Sequence, residues 1–240
     1  MSKFNFKVTR QEYQLVLEAR RQILFLSEIQ EMECQQCKNA HPANNIESDV
    51  REKVKILNKY FHTRVNEDDV TSHIVKNCNI IDSDITNHLP CAVSLIAFTG
   101  NRNEFSFATK YCALLQPDYY PIYDRYVWKF FLHLNKLGFF DKATEKKIAN
   151  VNKNRSTAYS DYIYVYNEFI DKSGIKSFYK SYREVDKYIW GAIRMYLLIE
   201  KDIKYSNISP TKQWLQTFVA RLLANLTTTA IWAIISHINF

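Results

Sequence analysis

Residues 104–134 read EFSFATKYCALLQPDYYPIYDRYVWKFFLHL, two apolar helical patterns joined by a proline-bracketed connection. Before the turn, Phe105, Ala108, Cys112 and Leu115 recur at helical spacing, and after it Val127, Phe131 and Leu134 do the same. Pro117 and Pro121 lack an amide hydrogen and push their predecessors out of the α region, so the segment PDYYPIY is a short rigid connection. Asp124 then falls at the N-cap of the second helix, where a carboxylate satisfies orphan amides and complements the helix dipole. Its neighbours allow a second role. Tyr119, Tyr120, Tyr123 and Tyr126 could line a pocket around it, and Arg125 and Lys129, one turn apart, add positive charge.

The rest of the chain has the same character. Only four glycines occur in 240 residues, 47% of the residues are hydrophobic, and repeated short alternating runs are missing. These features predict an all-α protein with a sizeable core and short loops. The length suits one domain, with its helices in two lobes of about 1–90 with 156–240, and 91–155. A net charge of +7 suits a polyanionic partner such as nucleic acid, or an anionic membrane surface, and the 16 tyrosines interleaved with Lys and Arg suit stacking on bases; with the hairpin proposed below, the nucleic acid is expected to be duplex DNA. Five cysteines, an odd number with irregular spacing, predict free thiols in a reducing cytoplasm. Cys34 and Cys37 form a C-x-x-C pair near His41, and Cys78 or His73 could add ligands, but this is a poor four-ligand set and no metal is expected. No cofactor is expected either, because the chain has no Walker loop, Rossmann fingerprint, HExxH or nucleophile elbow.

Along the chain, Thr9 caps a buried first helix that fades into EMECQQCKNAHPANN as the first loop. Ser48 caps an amphipathic helix, Asn66 opens another with an acidic first turn, and two short helices lie between Ile80 and Gly100. Gly100 is placed as a left-handed cap before TGNRNEF. Residues 135–155 are polar and lysine-rich and are expected to be a solvated crossing; Ser156 caps a tyrosine-faced helix, and Ser181 starts YREVDKYIWGAIRMYLLIEKDI. Ser209 and Pro210 start a further helix. The uncharged run LLANLTTTAIWAIISHINF, diluted by Asn and Thr, is expected to be a buried or oligomer-forming helix rather than a membrane span.

The order of helix, glycine-containing turn with Arg102, helix, proline turn and Asp124 resembles the helix-hairpin-helix DNA glycosylase superfamily over about residues 95–134. Gly100, Ala108, Pro117, Pro121, Asp124 and Val127 stand in corresponding order. The segments FATKYC, YPIYD and REVDKYIW also resemble those of a group of bacterial proteins associated with that fold. The resemblance implies a helix-hairpin-helix-like core and DNA binding by Gly100, Arg102, Lys110, Arg125 and Lys129. It further implies a pocket formed by Tyr111, Tyr120, Tyr123, Arg183, Asp186 and Trp190, with Asp124 as the catalytic carboxylate of an N-glycosylase, a hydrolase acting on an extruded base. There are departures. The second hairpin glycine is missing, the turn carries an extra residue, and Glu104 and Phe105 stand where bifunctional members carry a nucleophilic lysine. A monofunctional enzyme is therefore expected. The alternatives are a non-catalytic module binding DNA or a protein partner with Asp124 as a cap only, and a membrane-associated effector using the C-terminal segment.

Overall fold

The computed structural model describes residues 6–23, 25–99 and 102–205, with side chains described for all of these except 19–23, 25–27 and 194–205. Among the described residues the chain is all-α: helices α1 (Arg10–Ile23), α2 (Phe25–Ala40), α3 (Glu47–Phe61), α4 (Glu67–Lys76), α5 (Cys78–Thr86), α6 (Cys91–Ala97), α7 (Phe105–Leu115), α8 (Arg125–Lys136), α9 (Lys142–Lys153), α10 (Tyr159–Ser173) and α11 (Tyr182–Tyr205), with a 3-10 turn at Ile175–Ser177. The expected helix start at Ser209 and the uncharged run near the C-terminus lie outside the described residues, as does Gly100.

Local chemistry sets several of the helix starts. Thr9 and Glu12 form a reciprocal capping box, with Glu12 N–H donating to Thr9 Oγ1 (3.2 Å) and Thr9 N–H to Glu12 Oε2 (2.7 Å). Asn66 accepts from the amides of Asp68 and Asp69, and Ser181 Oγ accepts from Glu184 N–H. Ser48 and Ser156 do not cap. The residue before α3 is Ile46 and the residue before α10 is Ala158, neither with a side-chain cap bond. Two stretches expected to be irregular are helical. EMECQQCKNA continues α2 to Ala40, because its Glu, Gln, Met and Lys residues favour helix until Pro42 stops it. The lysine-rich segment holds α9, capped by Asp141 accepting from Thr144 N–H (2.9 Å), with a narrow buried stripe of Thr144, Ile148 and Val151.

One continuous apolar cluster runs through the described chain. Phe6, near the N-terminus, packs on Phe130, Phe139 and Phe169, and Val8 N–H donates to Ser173 O (2.9 Å), so the segment before α1 closes against the second half of the chain. α1 lies against α11, α6 against α7 and α9 against α10. No helix among the described residues is long and apolar enough to cross a membrane.

Candidate functional site

The proline connection is held from α10. Tyr159, Tyr162 and Tyr166 lie on one face of α10, all buried, and each hydroxyl finds a distant partner. Tyr159 donates to Pro121 O (2.8 Å), Tyr162 to Ile122 O (2.7 Å) and Tyr166 to Asp186 Oδ1 (2.6 Å). Asp186 Oδ2 in turn accepts from Ile122 N–H (3.1 Å), and Thr109 Oγ1 accepts from Tyr123 N–H (3.1 Å). Almost every polar backbone group just before Asp124 is thereby fixed by a buried side chain, and the residue enters α8 at a defined angle.

Asp124 is half-buried and caps α8 with extended backbone, its Oδ1 accepting from Tyr126 N–H (2.6 Å). The capping role is thus realised. Lys110 is the unexpected neighbour. It is 5% exposed, so the DNA-binding role that the resemblance implies is not that of a surface cation. Its Nζ donates to Ser106 Oγ (2.6 Å), one turn back on α7, and lies 6.0 Å from the Phe61 ring centre. Burial lowers its pKa to about 8, while the negative charges of Asp124 and Asp186 act in the opposite direction and Arg183 adds to the lowering. Asp186 is shifted the other way, to about 7, chiefly by burial. The Lys110 amine and the Asp186 carboxyl are therefore both drawn towards neutrality in a poorly solvated region under the proline turn, with Asp124 close enough for its charge to act on each.

Beside this region opens a cleft of about 580 Å³. Phe105 and Tyr123 supply buried aromatic surface, Ser106 joins them from α7, and residues 152–157 between α9 and α10 form another wall. Ser106 Oγ connects the cleft to the interior, since it receives the Lys110 hydrogen bond and donates to Tyr123 O (3.2 Å). Two cations, Lys153 and Arg155, line the cleft, and among the described residues no carboxylate does.

The other expected site residues divide. Tyr123 lines the cleft, and Asp186 lies under the turn. Tyr111 does not join them: it is buried and donates to Asn44 Oδ1 (2.6 Å), on the side facing α3 and the loop before it. Tyr120 is a clasp on the α5–α6 connection, within hydrogen-bond reach of Asp84 O and Leu89 O. Arg183 pairs with Glu31 (3.6 Å) and lies over Phe61, reaching the site only through its field on Lys110 and Asp186. Trp190 is half-buried on α11. Arg102, Arg125 and Lys129 are exposed; Arg102 stands 3.7 Å from Glu104, and Arg125 lies over the Tyr126 ring. The hairpin between α6 and α7 is closed by the Phe98–Asn103 bridge and by Glu104 N–H donating to Ala97 O (3.0 Å). The tyrosine face of α10 is legible in the sequence, but Ser106, Thr109, Arg155 and the hydroxyl partners of Tyr159, Tyr162 and Tyr166 are not. For Lys110 a signal existed, a lone charge in the otherwise apolar helix FSFATKYCALL.

The cysteines carry no comparable geometry. Cys34 is buried, with its thiol pushed up to about 11 by desolvation, and among the described residues no group of three or more His, Cys, Asp or Glu is placed to hold a metal ion.

The fold and the site together define an all-α domain with an amine and a carboxylate set beneath a cationic cleft. Residues 12–119 match a family model described as the HI_0787_N N-terminal domain, a little under half of the chain, and the match ends before Asp124. No curated protein and no solved structure matches the chain.

Proposed function

We propose that the protein is a DNA N-glycosylase whose reacting groups are Asp124 and Lys110, with the extruded nucleotide entering from the cleft beside Ser106 and Tyr123. The observation that carries this reading is the burial of the Lys110 amine within the field of Asp124 and against Ser106, which itself lines a cleft without carboxylates. Breaking a C1′–N bond leaves positive charge on the sugar, and a fixed carboxylate stabilises that charge more than the neutral ground state. The bonding electrons leave with the base, which takes up a proton. Water completing the reaction at C1′ gives the monofunctional course expected from the sequence.

The Lys110 amine favours a second course. With a pKa of about 8, roughly a tenth of it is uncharged at pH 7, against about 3 in 10,000 for an unperturbed lysine. The neutral amine can attack C1′ itself; loss of its proton and opening of the sugar ring leave an imine, and water then returns the amine and an abasic sugar. Exposed Arg102, Arg125 and Lys129 support approach to the backbone of duplex DNA. Cyanoborohydride tests the two courses together on duplexes carrying damaged or modified bases. Attack by the amine predicts a covalent adduct at Lys110, lost in Lys110→Gln; attack by water predicts abasic sites without an adduct.

The Asp124 to Tyr126 hydrogen bond favours a different reading, a non-catalytic module in which Asp124 only caps. That reading predicts salt-dependent duplex binding without base release from any substrate.

A further inference from the structure

We infer that the cleft between the start of α7 and the α9–α10 connection is a binding site for the phosphate of a nucleotide, with Arg155 as its principal ligand. The inference rests on the proposed reading only in identifying that nucleotide with the one presented to Asp124 and Lys110.

The wall is built in advance. Asn152 Oδ1 accepts from Trp128 Nε1–H of α8 (2.9 Å), Asn154 Nδ2 donates to Asn150 Oδ1 (2.7 Å), and Thr157 N–H donates to Asn154 O (3.0 Å). Beneath it, Asp161 ties α9 to α10 through Lys147 (2.6 Å) and Asn150 (2.6 Å), so this carboxylate is already engaged. Arg155 is exposed and its guanidinium lies over the Tyr123 ring, 5.3 Å from the ring centre. Neither Arg155 nor Lys153 has a carboxylate partner among the described residues. Two uncompensated cations, the side-chain amide of Asn103, the second amide hydrogen of Asn154, and an aromatic surface of Phe105 and Tyr123 meet in one cleft. This is the chemistry of an anion joined to a planar or sugar-like group. A planar guanidinium held over an aromatic face is pre-organised for a two-point hydrogen bond to a phosphate, which a carboxylate-lined cleft would repel.

The Trp128 indole, bonded to the wall at Asn152, reports occupancy of the cleft. Its N–H resonance, assigned with Trp128→Phe, is followed during titration with 2′-deoxyadenosine 5′-monophosphate, with 2′-deoxyadenosine, and with a trideoxynucleotide whose only phosphates are internal diesters. The expected result is a saturating shift with a phosphate-bearing probe, little with the nucleoside, and at least a tenfold loss of affinity for that probe in Arg155→Gln with the fold retained. A stronger response to the trinucleotide identifies a strand phosphodiester as the ligand, and a stronger response to the mononucleotide identifies a free phosphate monoester. Equal shifts with nucleoside and nucleotide, no shift with either phosphate probe, or unchanged affinity in Arg155→Gln each overturn the site. The two proposals fail separately. Phosphate-dependent binding without base release from any duplex removes the glycosylase and leaves the cleft, whereas base release with no phosphate preference removes the cleft alone.

Discussion

Replacing Lys110 by methionine is expected to stabilise the protein at neutral pH, which is the reverse of the usual outcome for a buried residue. Burial lowers the amine from its ordinary 10.5 to about 8, a difference of about 2.5 pKa units, so holding the protonated form in the fold costs on the order of 3 kcal/mol. Methionine fills a similar volume without charge. That cost already contains the attraction to Asp124 and Asp186, and losing the hydrogen bond to Ser106 Oγ returns about 1 kcal/mol, so a net gain of roughly 2 kcal/mol is expected at pH 7. The pH dependence carries the sign. Between pH 8 and 10.5 the unfolded chain holds a proton on this lysine that the folded chain has released, so wild-type stability gains from this group as pH rises. The advantage of Lys110→Met is therefore full below pH 8 and disappears towards pH 10.5. Urea denaturation of both proteins at intervals from pH 6 to 10 measures it, with the difference at each pH cancelling the other titrating groups. A variant destabilised by the same amount at every pH would refute the reasoning, because it would mean the ammonium is fully compensated in the fold.

Asp186→Asn is expected to flatten a second part of the profile. Its carboxyl is raised to about 7, so wild-type stability falls as pH rises from about 4 to 7, and denaturation across that window should show the fall removed in the variant. Tyr162→Phe leaves the Ile122 carbonyl without its buried donor and should lower stability by about 1–3 kcal/mol, read as a fall in Tm. Asp141→Ala should cost about 1 kcal/mol through the lost cap of α9, while Asp141→Asn should cost much less.

What the sequence made legible was local. The caps at Thr9, Asn66 and Asp124 and the break imposed by Pro117 and Pro121 depend on a few neighbouring residues, and they read correctly. α9 escaped because its buried stripe of Thr144, Ile148 and Val151 is too thin to stand out among lysines. The tyrosines misled for a different reason. A hydroxyl's partner is not written near it: Tyr111 bonds Asn44, 67 residues away, and Tyr120 reaches Asp84, 36 residues away, so both are structural clasps, although the place of Tyr120 in the turn suggests a pocket and the resemblance implies one for Tyr111 as well. Lys110, a lone charge in an apolar helix, is marked out by its own segment, but the groups that surround it, Phe61 of α3 and Arg183 and Asp186 of α11, are distant in sequence and leave no trace there. The cleft needs Ser106 and Arg155 brought together across the fold, which no spacing rule foretells.

The central claim is tested most directly by abasic-site formation under single-turnover conditions, comparing the wild type with Asp124→Asn on duplexes carrying damaged and modified bases. Asparagine caps a helix about as well as aspartate, so the bond to Tyr126 N–H and the melting temperature should be retained while the negative charge is lost. The account predicts base release by the wild type that falls by several orders of magnitude in a variant still folded and still binding duplex. Base release that continues undiminished in the folded asparagine variant would contradict it.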